Sequence, residues 1–215
     1  MDIVHPAVER YMRALTAADD EPVLLEMERL AADEGFPIVG RLCGRYLEVL
    51  ARSIEAKRIF EMGSGFGYSA YWFSRATGPD GAVHLTDADP GNEERALGFL
   101  RRAGLAGPVR YHVGDAFEAL AATTGEFDIV YVDIDKIDYP KAWEIGRERV
   151  RLGGYYVCDN MLWSGRVTGE VEEEDSRPEW TKAVHATNLA IAGDARFRAT
   201  INPTRDGVVA ALRIA

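Results

Sequence analysis

Residues 58–69 read R-I-F-E-M-G-S-G-F-G-Y-S, and what happens inside them decides the fold. Ile59–Met62 is a short apolar run of strand length. Glycines follow at 63, 65 and 67, and then a helical stretch over 68–76 opens. A strand that turns through glycines into a helix is the first unit of a parallel sheet. Downstream the unit repeats. Strands are predicted at Ala82–Thr86, Val109–Val113, Phe127–Val132 and Gly154–Cys158, with helices over about 92–103, 115–122 and 138–150. After a helix near 179–192, Phe197–Ile201 and Val208–Ile214 flank N-P-T-R-D-G, which reads as an antiparallel hairpin closing the sheet.

Upstream of Arg58 no strand is predicted. Val8, Tyr11, Met12 and Leu15 fall on one helical face. Asp20, or Asp19, is placed to cap a second helix whose first turn holds Pro22 and whose apolar stripe is Leu24, Met27 and Ala31. Leu42, Leu47, Leu50 and Ala51 mark a third. The expected architecture is α/β: a Rossmann-like, doubly wound, seven-stranded sheet. It is mostly parallel with an antiparallel C-terminal strand, and helices cover both faces. One domain over 1–215 is predicted, with a helical cap at 1–55 and the core at 56–215.

Composition narrows the function. The chain has 215 residues, of which 47% are apolar and 28% charged, and a net charge of −10. A chain of this length buries about 70% of its surface and needs no staple. Its two cysteines, Cys43 and Cys158, are too few for a disulfide framework or a cysteine-rich zinc site. The N-terminus lacks the basic and then apolar pattern of a signal peptide, and no apolar run reaches membrane length, so a cytoplasmic location is expected. The acid is concentrated. Residues 1–36 hold nine acids against three bases, and 168–175 hold five acids and no base. The rest is nearly neutral, which argues against nucleic acid as a partner. The four histidines, His5, His84, His112 and His185, fit no ligand spacing and are read as structural.

The glycine loop carries the first chemical signal. Glu61 precedes Gly63, Gly65 and Gly67. Dinucleotide enzymes use G-x-G-x-x-G, but position 68 is Tyr68. An acid two residues before the first glycine would repel a pyrophosphate and suit a cationic ligand, which favours S-adenosylmethionine over NAD. Asp87, ending the second strand, is placed to accept from both ribose hydroxyls. Asp89 reads as the cap of the next helix. Adenine would rest on the turn Gly114-Asp115-Ala116.

A second carboxylate set ends the fourth and fifth strands: Asp133, Asp135 and Lys136 in D-I-D-K, and Asp159-Asn160. Adjacent parallel strands lie about 4.8 Å apart with their carboxyl ends on one edge. Asp133, Asp159 and Asn160 should therefore converge. A hard divalent cation with oxygen ligands would relieve the crowding and leave positions open. The bland reading of Lys136 is a surface lysine paired with Asp135 or Asp138. Trp163, in the loop M-L-W-S-G-R-V, offers a flat wall for an aromatic substrate, and Arg166 of the same loop is grouped with it.

Taken together, E-x-G-x-x-x-G-Y-S, D-x-D-P, F-D-x-V-x-x-D-x-D-K-x-x-Y and D-N-x-L-W-S-G-R-V resemble the cation-dependent O-methyltransferases of the caffeoyl-CoA and catechol group. The resemblance covers about residues 37–215. It implies Mg²⁺, or Mn²⁺ or Ca²⁺, on Asp133, Asp159 and Asn160, and Lys136 as general base. It also implies cofactor contacts from Glu61, Gly63, Ser69, Asp87, Ala116 and Asp133, with Ser69 near the methionine carboxylate. Asp206-Gly207 matches the D-G before the last strand. A small phenolic or catechol-like substrate and a homodimer through helices 5–17 and 21–33 are implied as well. Residues 37–44 lack the acidic element of the plant enzymes, so substrate identity does not transfer. The alternative is methylation of a tRNA hydroxyuridine by the same fold, which would require a basic face.

Overall fold

The computed structural model describes residues 3–16, 20–171 and 174–215. Asp19 lies outside them. Three helices come first: α1 (Pro6–Ala14), α2 (Pro22–Glu34) and α3 (Gly40–Ser53). Strands and helices then alternate through β1 (Arg58–Met62), α4 (Tyr68–Thr77), β2 (Ala82–Asp87), α5 (Pro90–Arg102), β3 (Val109–Val113), α6 (Ala116–Ala122), β4 (Phe127–Val132), α7 (Tyr139–Gly146) and β5 (Val150–Cys158). The chain ends with α8 (Pro178–Gly193), β6 (Phe197–Asn202) and β7 (Val208–Arg213). The strand order is β3-β2-β1-β4-β5-β7-β6. β7 runs against both of its neighbours, pairing antiparallel with β5 and β6. This is the mostly parallel seven-stranded sheet expected from the alternation.

The chain divides into two compact units, Ala7–Thr124 and Gly125–Ala215, the latter taking in the residues up to Pro6. In the first unit, β1, β2 and β3 pair in parallel, with Ile59 opposite Val83 and Val83 opposite Val109. Tyr71, Trp72 and Phe73 of α4 are fully buried. α3 makes room for them at Gly44, where a Cβ would stand 2.1 Å from the Trp72 ring nitrogen. The helical cap is tied down by a buried cation. Arg41 of α3 donates to both carboxylate oxygens of Glu28 on α2, at 3.1 and 2.8 Å, and also to Asp20. Such a forked pair is among the stronger charged hydrogen bonds. Tyr68, the first residue of α4, donates to the same Glu28 at 2.8 Å, so the network reaches the residue that follows the glycine loop. The apolar stripe along α1 and just past its end is turned outward, with Val8 49%, Tyr11 66% and Leu15 63% exposed.

His84 and His112, treated in the sequence as scattered, meet across β2 and β3. Their registers, His84 opposite Arg110 and His112 opposite Thr86, make them diagonal neighbours on one face. Their ring nitrogens lie 3.0 Å apart, and both rings stack near Phe60. Burial first, then the His112, Arg58 and Arg110 charges, lowers His84 to about 4. An unfolded histidine titrates near 6.5. The unfolded chain therefore takes up the proton first as pH falls, and stability is lost between about 6.5 and 4. For a half-buried site this amounts to about 1–2 kcal/mol after solvent screening. Denaturant unfolding at pH 7 and pH 4.5 should show the difference shrinking by about that amount in His84→Asn. An unchanged difference would mean the pair does not carry it.

In the second unit β4 and β5 are parallel, with a register shift between Phe127 and Ile129. β5 begins at Val150, four positions earlier than the glycines at 153 and 154 suggest. α7 stops at Gly146, and Arg147–Arg149 form a single 3-10 turn. Gly154 sits where the ladder shifts, and a Cβ there would meet the Asp128 carbonyl at 2.6 Å. Trp143, Tyr156 and Phe197 pack edge to face as the core of this unit. Cys43 and Cys158 are buried thiols that form no disulfide, and burial pushes the Cys158 thiol up, which keeps it unreactive. Among the described residues no helix is long and apolar enough to cross a membrane.

Candidate active site

The first constellation lies at the C-terminal end of β1. Gly67 closes the loop in the left-handed region (φ 86°) and passes so close to α5 that a Cβ would stand 2.9 Å from that of Ala96. No side chain caps α4 behind it, so the first amides of that helix face the loop. The loop is pinned from β2. Thr86 Oγ1 donates to the Glu61 carbonyl at 2.9 Å and accepts from Gly63 N at 3.2 Å. Asp87 Oδ2 accepts from Gly65 N at 3.0 Å, and its Oδ1 accepts from Asp89 N at 2.9 Å and Asn92 Nδ2 at 3.1 Å. Tyr111 of β3 donates to the Gly65 carbonyl at 2.8 Å. Nothing in the sequence pattern marked Tyr111 for this task.

Glu61 is fully buried and accepts from the Ser69 hydroxyl. That hydroxyl, expected near a cofactor carboxylate, is directed at Glu61. Asp115 is exposed, and its Oδ1 caps α6 by accepting from Phe117 N and Glu118 N at 2.8 and 2.9 Å. Asp89 caps α5 as predicted, accepting from Gly91 N at 2.8 Å. The loop is electronegative. Burial, then Asp87, Glu61, Glu93 and Asp89, all push the Tyr111 hydroxyl upward. Such a potential suits a ligand with cationic groups and repels a pyrophosphate.

The second constellation joins the ends of β4 and β5 and the β6–β7 turn. Asp159 N donates to the Val132 carbonyl at 3.1 Å, which sets Asp159 beside Asp133. Lys136, buried despite its charge, donates to Asp133 Oδ1 at 3.0 Å and to the Ile134 carbonyl at 3.1 Å. It therefore pairs with neither Asp135 nor Asp138. Asp159 is fully buried; Oδ1 accepts from Asn160 N at 2.8 Å, whereas Oδ2 has no hydrogen-bond partner. The Arg205 guanidinium stands 3.5 Å from that oxygen. Burial, and then the charge of Asp133, lift Asp159 to about 7. Among the described residues no three His, Cys, Asp or Glu side chains form a metal cluster. The set here is two aspartates and an amide.

The loop after Asp159 is held under strain. Asn160, Trp163 and Ser164 all have left-handed backbones (φ 58°, 46° and 54°), as does Arg205 (φ 59°). Each such residue costs about 1 kcal/mol or more, so a surrounding clamp must hold it. Asp206-Gly207 is that clamp. The Gly207 carbonyl accepts from Met161 N at 2.8 Å and the Asp206 carbonyl from Leu162 N at 2.9 Å. The Asp206 carboxylate accepts from Ser164 N and, at 3.4 Å, from Asn160 Nδ2. Gly207 (φ 84°) lies so near Leu162 that a Cβ would stand 2.5 Å from it. With Nδ2 turned to Asp206, the amide oxygen is the Asn160 atom left for a hard cation. Trp163 is half-buried and packs at 5.8 Å on Trp180 of α8. Arg166 reaches back to Asp175 of the acidic segment at 3.8 Å.

Comparison with known proteins places the chain in a family. The O-methyltransferase family matches residues 14–214. A catechol O-methyltransferase of Mycobacterium tuberculosis is 31% identical over 80% of this chain and 79% of its own. A caffeoyl-CoA O-methyltransferase of Populus kitakamiensis is 32% identical over 80% of this chain and 76% of its own. Among solved structures, the O-methyltransferase TomG from Streptomyces achromogenes, involved in tomaymycin synthesis and crystallised with S-adenosylmethionine, superimposes with a TM-score of 0.84. It is 29% identical, covering 97% of this chain and 96% of its own. Electronegative glycine loop, strand-end carboxylates and relatives together mean that the chain belongs to the O-methyltransferase family of S-adenosylmethionine-dependent enzymes.

Proposed function

We propose that the chain methylates one hydroxyl of a small catechol-like or phenolic acceptor, with a divalent ion on Asp133, Asp159 and Asn160 and with Lys136 as general base. The observation that carries this reading is Asp159: a fully buried carboxylate beside a second carboxylate, with one oxygen left without a hydrogen-bond partner. A hard cation fits that donor set of three oxygens. When bound, Mg²⁺ or a similar ion would act as a Lewis acid that favours the phenolate of an acceptor hydroxyl.

The chain's own residues do the rest. Glu61, Gly63, Gly65, Ser69, Asp87, Ala116 and Asp133 hold and orient the cofactor, and Asp115 borders its adenine. Lys136, fixed as a cation by Asp133 and the Ile134 carbonyl, would release a proton to solvent once a divalent ion is bound beside it and then take the hydroxyl proton on Nζ. The oxygen lone pair so released forms the new bond to the methyl carbon as the carbon–sulfur bond breaks. Trp163 supplies an apolar wall for the ring, and Arg166, anchored on Asp175, holds the loop edge. The outward apolar stripe of α1 supports a homodimer. Sedimentation equilibrium reading a single-chain mass would remove that part.

The proposed ion makes a specific demand on the acceptor, because a hard divalent cation would favour a ring with neighbouring oxygens. A catechol should be methylated with kcat/KM at least about 100-fold above that of the same ring bearing one hydroxyl, a difference near 3 kcal/mol in transition-state binding. Equal rates for the two would overturn attachment through neighbouring oxygens.

A further inference from the structure

The two proposed ligand carboxylates already carry cations of their own. Lys136 Nζ lies 3.0 Å from Asp133 Oδ1, and Arg205 Nη1 lies 3.5 Å from Asp159 Oδ2. Lys136 has a place in the proton transfer. Arg205 has none there, yet the turn between β6 and β7 presents it at a cost. Its backbone is left-handed (φ 59°), a conformation that disfavours any residue with a Cβ. Its side chain is 38% exposed, while the Asp159 it faces is fully buried. The guanidinium thus covers the one carboxylate oxygen of Asp159 that has no hydrogen bond.

We infer that Arg205 is a built-in counter-ion of Asp159 that competes with the divalent ion for this carboxylate and sets the ion affinity of the chain. The inference rests on the ligand set proposed above. A guanidinium beside Asp159 neutralises the charge that would attract a cation, and it repels a second positive charge brought to the same oxygen. Its exposure and long stem allow it to swing into solvent when the ion arrives. Ion binding at this site therefore includes the work of displacing Arg205, and removing the guanidinium should tighten binding.

The test is a Mn²⁺ titration of the full-length protein, with free Mn²⁺ read by electron paramagnetic resonance. Arg205→Gln removes the charge. Arg205→Gly does so too, and also relieves the left-handed backbone, so the turn is retained if the glutamine variant folds poorly. Arg205→Lys keeps a cation. The Gln and Gly variants should bind Mn²⁺ about tenfold more tightly than wild type, equivalent to about 1.4 kcal/mol, with the Lys variant close to wild type. A purely structural role for Arg205 predicts the reverse, because a loosened turn would weaken the site. Binding in the Gln and Gly variants equal to or weaker than wild type overturns the inference. Asp159→Asn separates this from failure of the ligand set. If wild type binds through Asp159 and the Arg205 variants bind no more tightly, only the role of Arg205 falls. If wild type and the Arg205 variants bind no Mn²⁺, or Asp159→Asn binds as wild type does, the ion site falls and Arg205 with it.

Discussion

Lys136→Ala should lower kcat for methyl transfer by about 1,000-fold while leaving the dissociation constant for S-adenosylmethionine within about threefold of wild type. A positioned general base contributes about 100- to 10,000-fold. The surroundings of Lys136 support the proposed task. It is buried, held at 3.0 Å by Asp133 Oδ1 and at 3.1 Å by the Ile134 carbonyl, with its ammonium over the Tyr139 ring at 4.9 Å. None of these contacts belongs to the glycine loop, and the alanine variant leaves the Asp133 carboxylate itself intact, so cofactor binding should change little. Lys136→Arg sharpens the test. It keeps the positive charge beside Asp133, but a guanidinium does not give up a proton and so cannot act as base. The arginine variant should therefore be nearly as inactive as alanine. Turnover near the wild-type rate in Lys136→Arg, measured with labelled cofactor and isothermal titration of cofactor binding, would show that charge rather than proton transfer is what Lys136 supplies.

The parts of this machinery differ in how plainly the sequence carries them. The glycine loop is local: Glu61, the three glycines and the uncapped start of α4 stand within a dozen residues, and their spacing alone argued for a cationic ligand. Asp133 and Asp159 are far apart in sequence, yet each ends a strand, and neighbouring parallel strands bring their ends to one edge. Their convergence followed from topology. The early start of β5 did not, because Gly153 and Gly154 look like a turn when they in fact pass a register shift against β4. Arg205 is harder still. Only the pairing of β7 with β5 sets the preceding turn beside Asp159, and the turn-rich composition of N-P-T-R-D-G shows a bend without showing what it faces. The same holds for Arg41, Glu28 and Tyr68, whose bonds span 13 and 40 residues. The acidic segment was the plainest feature of composition, and the structure gives specific contacts at both its ends, the first from Glu170 N to Thr168 Oγ1 at 3.1 Å. Asp175 accepts from Thr181 Oγ1 at 2.6 Å and faces Arg166, while residues 172 and 173 lie outside the described chain.

The largest effect should come from removing the divalent ion. Asp159 and Asp133 are crowded carboxylates, and Lys136 and Arg205 are the cations that face them among the described residues. Neither side chain can act as the Lewis acid that a bound divalent cation would be, a contribution of several kcal/mol. The decisive measurement is methylation of a catechol by the wild-type protein after exhaustive chelation with EDTA, with residual metal verified below the enzyme concentration, and again after Mg²⁺ is restored. The rate should fall by at least about 1,000-fold on chelation and return with Mg²⁺. A methylation rate that survives full chelation unchanged would contradict the account at its centre.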